Sequence, residues 1–484
     1  MAEPNGALSL ADVLAYTGGV SAGATEERAF SRVSTDSRNI ERGDLFVALR
    51  GERFDGHAFS GEALKKGAAG LLVERLPAPE ILQEFRPALI RVEDTLEALG
   101  GLAAGWRRRF SAPVAVLTGS NGKTTTKEMT VTILRLGYRC LWSPGNFNNR
   151  IGLPLTLLML REDHERVVLE MGMNRPGEIR ELTRIARPEV GALLNIGPAH
   201  LERFGSIEGV AAAKAELLEE MPRESVLVFN RDDPRISLLA DRWGGPKRSF
   251  GFGSGSDVRF LEETDSALPR KIRLEIAGRE VEAALALPGR HNLYNALAAA
   301  ALAHSLGASV DAIAEGLSRF QGISGRFTVE SRERFTLVND TYNANPGSME
   351  AALETLGDLS RSAGRVLVLG DMLELGDESD QAHFELGRRA ARLHPTALYV
   401  TGSFAGKVVE GARHAGYPQE QIEVFEDPAR AAEQILRRIR GGEWILIKGS
   451  RGMAMERVAE ALDRRSGSGA AKTPGAEAGE RCQH

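Results

Sequence analysis

Short β-rich apolar runs recur along this chain, each closed by a polar or glycine-containing turn and followed by a stretch of helical periodicity. In a first block the runs are Leu45–Leu49, Gly70–Val73 and Leu89–Val92, with a helical pattern over Phe59–Lys66; this predicts a small α/β unit. A second block opens at Val114, with runs at Val114–Leu117, Val167–Leu169, Val190–Ile196 and Val226–Phe229. Runs that are apolar throughout, with helices between them, predict a mostly parallel sheet covered on both faces. Between Lys247 and Gly289 the segments shorten and gain glycine, predicting antiparallel hairpins, and an Ala-rich helix is expected over Asn292–Leu306. A third block repeats the alternation at Phe335–Val338, Val366–Leu369, Leu398–Val400 and Trp444–Ile447, as a second doubly wound sheet would.

The expected fold class is therefore α/β in three domains: a small N-terminal α/β domain, a central P-loop-type domain and a C-terminal Rossmann-like domain. Their expected bounds are residues 1–110, 111–325 and 326–465, with a small, polar, disordered tail over 466–484. Arg107–Pro113 reads as a linker, its arginines at a solvated helix end.

Composition narrows the class. A chain of 484 residues suits several domains of roughly 100–200 residues each. Lys plus Arg number 61 against 66 Asp plus Glu, a net charge of -5, which argues against nucleic acid held by bulk positive charge. Two cysteines, Cys140 and Cys482, exclude a disulfide framework and a cysteine-based zinc site. An early Glu3 and no apolar core argue against a signal peptide, and the longest apolar run, around Leu153–Leu160, is short of the about 18 residues of a membrane span. A soluble cytoplasmic protein without nucleic-acid or membrane partners is expected.

The clearest chemistry lies at Val114–Thr125, VAVLTGSNGKTT. A buried strand feeds a glycine loop, then Lys-Thr-Thr and a helix carrying Met129, Ile133 and Leu134. Glycines let backbone N–H groups turn toward an anion, and the helix start adds partial positive charge. Gly119, Ser120, Asn121, Gly122, Lys123, Thr124 and Thr125 are thus nucleotide-binding candidates, Lys123 for phosphate oxygens and Thr124 for Mg²⁺. The loop is shorter than the usual G-x-x-x-x-G-K-[ST], because Leu117 stands at the first glycine position and Gly119 precedes Gly122 by three.

Other candidates cluster at strand ends. Glu170 closes a strand where α/β sheets collect ligands and suits Mg²⁺. His200 lies beyond another strand, and Lys214 lies in a helical stretch; alone, each has an ordinary structural reading. Asn292 reads as a helix N-cap, while Asn295, one turn on, can meet an adenine edge. Arg326 sits at the seam of blocks two and three, where a guanidinium can close over a phosphate. Asp340–Pro346, DTYNANP, follows a strand and reads either as a plain turn or as a polar binding cluster.

Taken together, these segments and their order resemble the Mur ligases, ATP-dependent enzymes that build the peptide of the bacterial cell-wall precursor. The resemblance covers nearly the whole chain apart from the tail. GNFNNRIGLP (145–154), EMGMN (170–174), NIGPAHLE (195–202) and DTYNANP (340–346) resemble the member that joins D-alanyl-D-alanine to UDP-N-acetylmuramoyl-tripeptide, and block three lacks the D-N-P-R sequence of the relative that adds the third residue. The resemblance implies catalytic roles for Lys123, His200, Lys214 and Arg326, and metal positions at Thr124, Glu170, His200 and Lys214, for two Mg²⁺ ions, with Lys214 carried as a carbamate. It implies ATP contacts at Asn149, Asn295, Arg326 and Asp340, uridine-substrate contacts at Ser34, Asp36, Ser37 and Arg38, with Gly51–His57 in the same region, and substrate contacts at Asn343, Asn345, Lys448, Ser450 and Arg451. A monomer is implied. Two alternatives stand beside this reading: a folylpolyglutamate synthase-like ligase, which does not need the about 110 residues ahead of the loop, and a nucleotide-switched ATPase.

Overall fold

Three parallel-rich sheets carry the chain in a computed structural model that describes residues 7–22, 28–51 and 54–466. Of the expected tail only Ser466 is described, as the last residue of the helix Glu456–Ser466. Glu3, Glu52, Arg53 and Cys482 lie outside the described residues.

The first sheet orders its strands Val20–Ser21, Ala88–Arg91, Gly70–Val73, Leu45–Val47 and Val33–Ser34, all parallel but the first. The three apolar runs of block one are its central strands. A separate antiparallel pair, Leu8–Ser9 with Ala29–Phe30, sits beside it.

The central sheet has nine strands, and its first strand, Val114–Thr118, lies inside it between Arg166–Glu170 and Val190–Leu193. The chain leaves this strand in one direction and later returns on its other side. The strand order reverses there, and a crevice opens at the carboxyl ends, where ligands bind in open α/β sheets. Cys140–Trp142 closes one edge. On the other side Val226–Asn230, Lys247–Gly251 and Val258–Asp265 continue in parallel. Arg270–Ile276 and Arg279–Leu285 then follow antiparallel, so the hairpins expected between Lys247 and Gly289 form only from Val258 onward, while the glycine-rich turn before it joins two parallel strands. Ala115, Leu117 and Val168 pack with the helices Lys123–Leu134, Arg290–Ser305 and Val310–Arg319 on one face, and Val114, Val116, Val167 and Leu169 pack with Glu178–Ala186 and Ile207–Glu220 on the other.

The third sheet runs Thr328–Ser331, Phe335–Asp340, Glu443–Lys448, Arg365–Leu369, Ala397–Val400 and Ile422–Val424, parallel except at its first pair. It too has separate cores on its two faces.

The stretch 107–113 ends a helix and leads by turn and coil into Val114–Thr118, with Arg108 and Arg109 exposed as expected, but Arg107 departs from that reading and the two units are not loosely tethered. The helix Thr95–Arg107 packs with the central unit, and one apolar core runs from Leu8, Leu99 and Leu102 to Val116, Leu153 and Leu182. Trp106 donates its indole N–H to the Leu160 carbonyl at 3.1 Å. Arg107 is buried, bonding Glu189 at 2.9 Å and the Phe110 carbonyl at 2.7 Å, so it is no solvated helix end. An apolar helix face and a paired buried cation weld the first unit to the second.

Trp106→Ala removes the largest side chain at this weld together with its hydrogen bond. It is expected to lower stability by about 3–5 kcal/mol. A urea titration checks this: an unshifted midpoint contradicts the shared core.

Candidate active site

The loop after Val114–Thr118 is held from outside by one asparagine. Asn195 takes the Ser120 N–H on its backbone carbonyl at 3.1 Å, takes the Asn121 N–H on Oδ1 at 2.8 Å and donates Nδ2 to the Asn121 carbonyl at 2.9 Å. Ser120 Oγ bonds both the carbonyl and the N–H of Gly197. Gly122 adopts φ 80°, a left-handed conformation that favours glycine. A Cβ there would also overlap the Asn295 side chain. The helix Lys123–Leu134 starts at once, its first internal bond running from Thr126 N–H to the Gly122 carbonyl. The amides of Lys123, Thr124 and Thr125 precede that bond and are left for an anion.

Around this loop the chain forms a cleft of about 620 Å³. Gly119 to Thr125, Asn149, Glu170, His200, Lys214 and Asn295 line it from the central unit, with Arg326, Asp340, Asn343, Asn345 and Lys448 opposite. Ser450 and Arg451 lie just behind this wall. Ser450 is buried, donating to the Ala344 carbonyl and accepting from Leu373 N–H, and the Arg451 N–H reaches Asn343 Oδ1 at 3.3 Å. Ser34, Asp36, Ser37 and Arg38 are not in the cleft. They form their own turn in the first unit, where Arg38 is engaged by Asp36 and Ser37 by Glu62.

Polar bonds join the third unit to the second across the cleft, among them three between side chains and one from the Glu202 N–H to the Glu374 carbonyl at 3.3 Å. Arg326 donates to Thr124 Oγ1 at 2.9 Å while its guanidinium stacks on the Tyr342 ring at 3.8 Å. Asn345, the N-cap of Pro346–Ser360, donates to Asn121 Oδ1 at 2.7 Å. His200 Nδ1 meets Glu374 Oε2 at 2.5 Å. A carboxylate only accepts, so in the neutral imidazole Nδ1 is the donor and Nε2 keeps its lone pair. His200 has a left-handed backbone, φ 56°, at the start of the short helix Leu201–Phe204.

Charge is concentrated here under poor solvation. Burial, opposed by the nearby Glu170 carboxylate, lowers the Lys123 amine from its ordinary range, and its Nζ folds back to the Gly119 carbonyl at 2.8 Å. Burial, reinforced by Lys123, pushes the Lys214 amine well below its ordinary range. Glu170 is 2% exposed; its Oε1 accepts from Asn148 at 2.8 Å and its Oε2 is buried with no hydrogen-bond partner. No group of three or more His, Cys, Asp or Glu is placed to hold a metal among the described residues. The orphaned oxygen nevertheless fits a divalent ion, because Mg²⁺ takes one or two carboxylates and fills the rest with hydroxyl, water and phosphate oxygens. Asp340 and Lys448 form a buried pair at 2.6 Å, and Lys448 also bonds the Asn343 carbonyl at 2.9 Å. Asn149 caps the turn into Gly152–Leu157 through Oδ1.

Asn292 is not the N-cap. Gly289 caps that helix, and Asn292 sits buried in its first turn, accepting from Asn295 Nδ2 at 2.9 Å. Sequence reasoning gives no role to His291 or to Asn148. His291 lines the cleft, and burial, partly offset by Asp340, pushes its imidazole down to about 4. The asparagine pair in GNFNNR is the sequence signal that points to Asn148.

Family models match along the chain in order: "Mur ligase family, catalytic domain" over residues 29–107, "Mur ligase middle domain" over 117–303 and "Mur ligase, glutamate ligase domain" over 325–451. The chain is 39% identical over 435 residues to the UDP-N-acetylmuramoyl-tripeptide–D-alanyl-D-alanine ligase of Escherichia coli, covering 89% of this chain and 93% of that one. A crystal structure of MurF from Acinetobacter baumannii superposes with TM-score 0.86 at 35% identity, covering 96% of this chain and 100% of that one. MurF ligase from Thermotoga maritima in complex with ADP superposes with TM-score 0.81 at 31% identity, covering 91% and 98%.

The His291 shift has a definite sign. With its folded value near 4 against 6.5 ordinarily, the unfolded chain binds the extra proton between those values, so stability falls as pH drops through that window. At pH 5 the loss is at most about 2 kcal/mol relative to pH 7. His291→Asn should flatten this part of the dependence; equal slopes of urea midpoint against pH in both proteins contradict it.

Proposed function

The chain belongs to the Mur ligase family, and from its full-length relatives and its cleft we infer that it joins D-alanyl-D-alanine to UDP-N-acetylmuramoyl-tripeptide at the expense of ATP. The products are the UDP-muramoyl-pentapeptide precursor of peptidoglycan, ADP and phosphate. The observation that carries the chemistry is the convergence of the loop amides, Lys123 and Arg326 on one cleft beside the unpartnered oxygen of Glu170. We assign residues 1–110 to the uridine end of the substrate, with Ser34, Asp36, Ser37 and Arg38 as its contacts, 111–325 to ATP and 326–465 to the incoming dipeptide. The folate-ligase alternative is set aside because residues 29–107, ahead of the loop, themselves match a Mur ligase family model.

A carboxylate is a poor acyl donor, since oxide is a poor leaving group. The terminal carboxylate of the tripeptide attacks the outermost phosphorus of ATP, giving an acyl phosphate and ADP. The free amine of D-alanyl-D-alanine then attacks the acyl carbon and phosphate departs. Lys123, the amides of Lys123–Thr125 and Arg326 stabilise charge on the transferring phosphoryl group. Asn295 and Asp340 are assigned to the base and the ribose, and Asn149 to the triphosphate. Asn343, Asn345, Lys448, Ser450 and Arg451 are assigned to border the dipeptide, where Lys448 is paired with Asp340. Closing of the third unit aligns the reactants and excludes water that would hydrolyse the intermediate.

Thr124, Glu170, His200 and Lys214 are assigned to hold two Mg²⁺ ions. A divalent ion there supplies charge neutralisation at the phosphate oxygens. Burial and the charge of Lys123 disfavour the ammonium form of Lys214, which favours reaction of its amine with CO₂, and the carbamate so formed places an anion beside Lys123. We place the reaction in the cytoplasm and assign a monomeric enzyme acting on these small molecules, without nucleic-acid or membrane partners.

With ATP, Mg²⁺, the UDP-tripeptide and D-alanyl-D-alanine, phosphate release is expected only when both the UDP-tripeptide and the dipeptide are present. Release without them would favour a nucleotide switch, and no release with them would overturn the assignment. Lys123→Ala should lower ligation by at least about a hundredfold; near-normal turnover in that variant contradicts the role given to Lys123.

A further inference from the structure

We propose that Asn148 is a positioning residue that turns Glu170 toward a divalent cation, and that the buried cation Lys127 holds Asn148 in place. The inference rests on the assignment of Glu170 as a metal carboxylate.

Lys127 lies one turn beyond Lys123 on the same helix and is fully buried. Its ammonium donates to the Ser143 carbonyl at 2.6 Å and the Gly145 carbonyl at 3.1 Å, and pairs with Glu128 at 3.0 Å. Both of its hydrogen bonds go to main-chain oxygens, and the Glu128 carboxylate lies beside the charge. A buried lysine is costly unless satisfied, and here it is satisfied chiefly by main-chain oxygens of a segment with little regular structure. The helix that opens the phosphate loop is thereby pinned to residues 143–145.

That segment is stapled to Glu170 in turn. The Glu170 N–H donates to Ser143 Oγ at 3.2 Å, the Gly172 N–H donates to the Asn148 carbonyl at 2.7 Å, and Asn148 Nδ2 donates to Glu170 Oε1 at 2.8 Å. One carboxylate oxygen is occupied by an amide while the other, Oε2, is buried and unpartnered. Without the amide, Oε1 and Oε2 are equivalent, and the carboxylate is free to turn about its last bond. With it, a single oxygen is presented. Outer partners of this kind commonly set metal affinity by about 10–100-fold.

The test measures Mn²⁺ binding in the presence of ADP, from the electron paramagnetic resonance signal of free Mn²⁺, on the full-length chain. Glu170→Gln is the reference and should lose most of the affinity. Asn148→Ala should weaken Mn²⁺ binding about tenfold or more, with metal-free ADP affinity unchanged within about twofold. Its turnover should fall with little change in KM for the uridine substrate. Lys127→Met should weaken Mn²⁺ binding in the same direction. If Glu170→Gln binds Mn²⁺ as the parent does, the metal assignment itself fails. If Glu170→Gln loses Mn²⁺ while Asn148→Ala keeps it within twofold, the positioning role is overturned and the metal assignment stands. Parental Mn²⁺ binding by Lys127→Met removes Lys127 from the proposal. Asn148→Ala decides the positioning role, because its side chain lines the cleft and its backbone bonds survive the substitution.

Discussion

Two amines whose affinity for protons burial lowers, Lys123 and Lys214, share one crevice with Arg326 and a carboxylate that has a free oxygen. Such an arrangement is unfavourable by itself: like charges are close and water is scarce. It becomes favourable when anions and divalent cations enter together, because each then finds a preformed counterpart that needs no reorganisation. The rest of the molecule serves to keep this crowd in register. The strand-order reversal opens the crevice, Asn195 fixes the loop, and the loop's helix aims its amides inward.

The two seams between the units differ in kind. The first and second units share apolar packing around Leu99, Leu102 and Trp106, plus the buried Arg107 paired with Glu189, and close packing of this kind exacts a large penalty for any relative displacement. The second and third units meet across the cleft through Arg326 with Thr124, Asn345 with Asn121 and His200 with Glu374. Polar contacts of this sort exchange readily with water, so opening there costs little. In the function proposed above, the rigid seam would hold the long uridine-linked substrate against the phosphate loop, and the exchangeable one would admit and release the smaller reactants.

Much of the scaffold was legible because its causes are local. Uniformly apolar runs such as Val114–Leu117 and Val366–Leu369 can be buried only from both sides, and they became inner strands. The glycine loop was legible because anion binding demands backbone freedom at fixed offsets. What escaped was set by tertiary partners. Arg107 reads as exposed in a run of three arginines, and only Glu189, far along the chain, makes it a core residue. Asn292 has the chemistry of a cap, yet Gly289 takes that position and frees Asn292 to bond Asn295. Lys127 resembles any helical lysine until the carbonyls of Ser143 and Gly145 are placed beside it. The candidate residues drawn from the central and third blocks mostly meet at one cleft, while those of the first block stay in their own turn, a distance that spacing along the chain does not encode.

Gly122 and Asn295 touch so closely that neither position is independent of the other. A side chain at 122 has no room unless 295 has already become smaller, and even then the left-handed backbone strains it, while a smaller residue at 295 abandons its bonds to Asn292 and Thr126. Over a lineage the pair must therefore change in a forced order through a poorer intermediate, or not at all. A drug group wedged against this junction would meet a target with few accessible routes of escape.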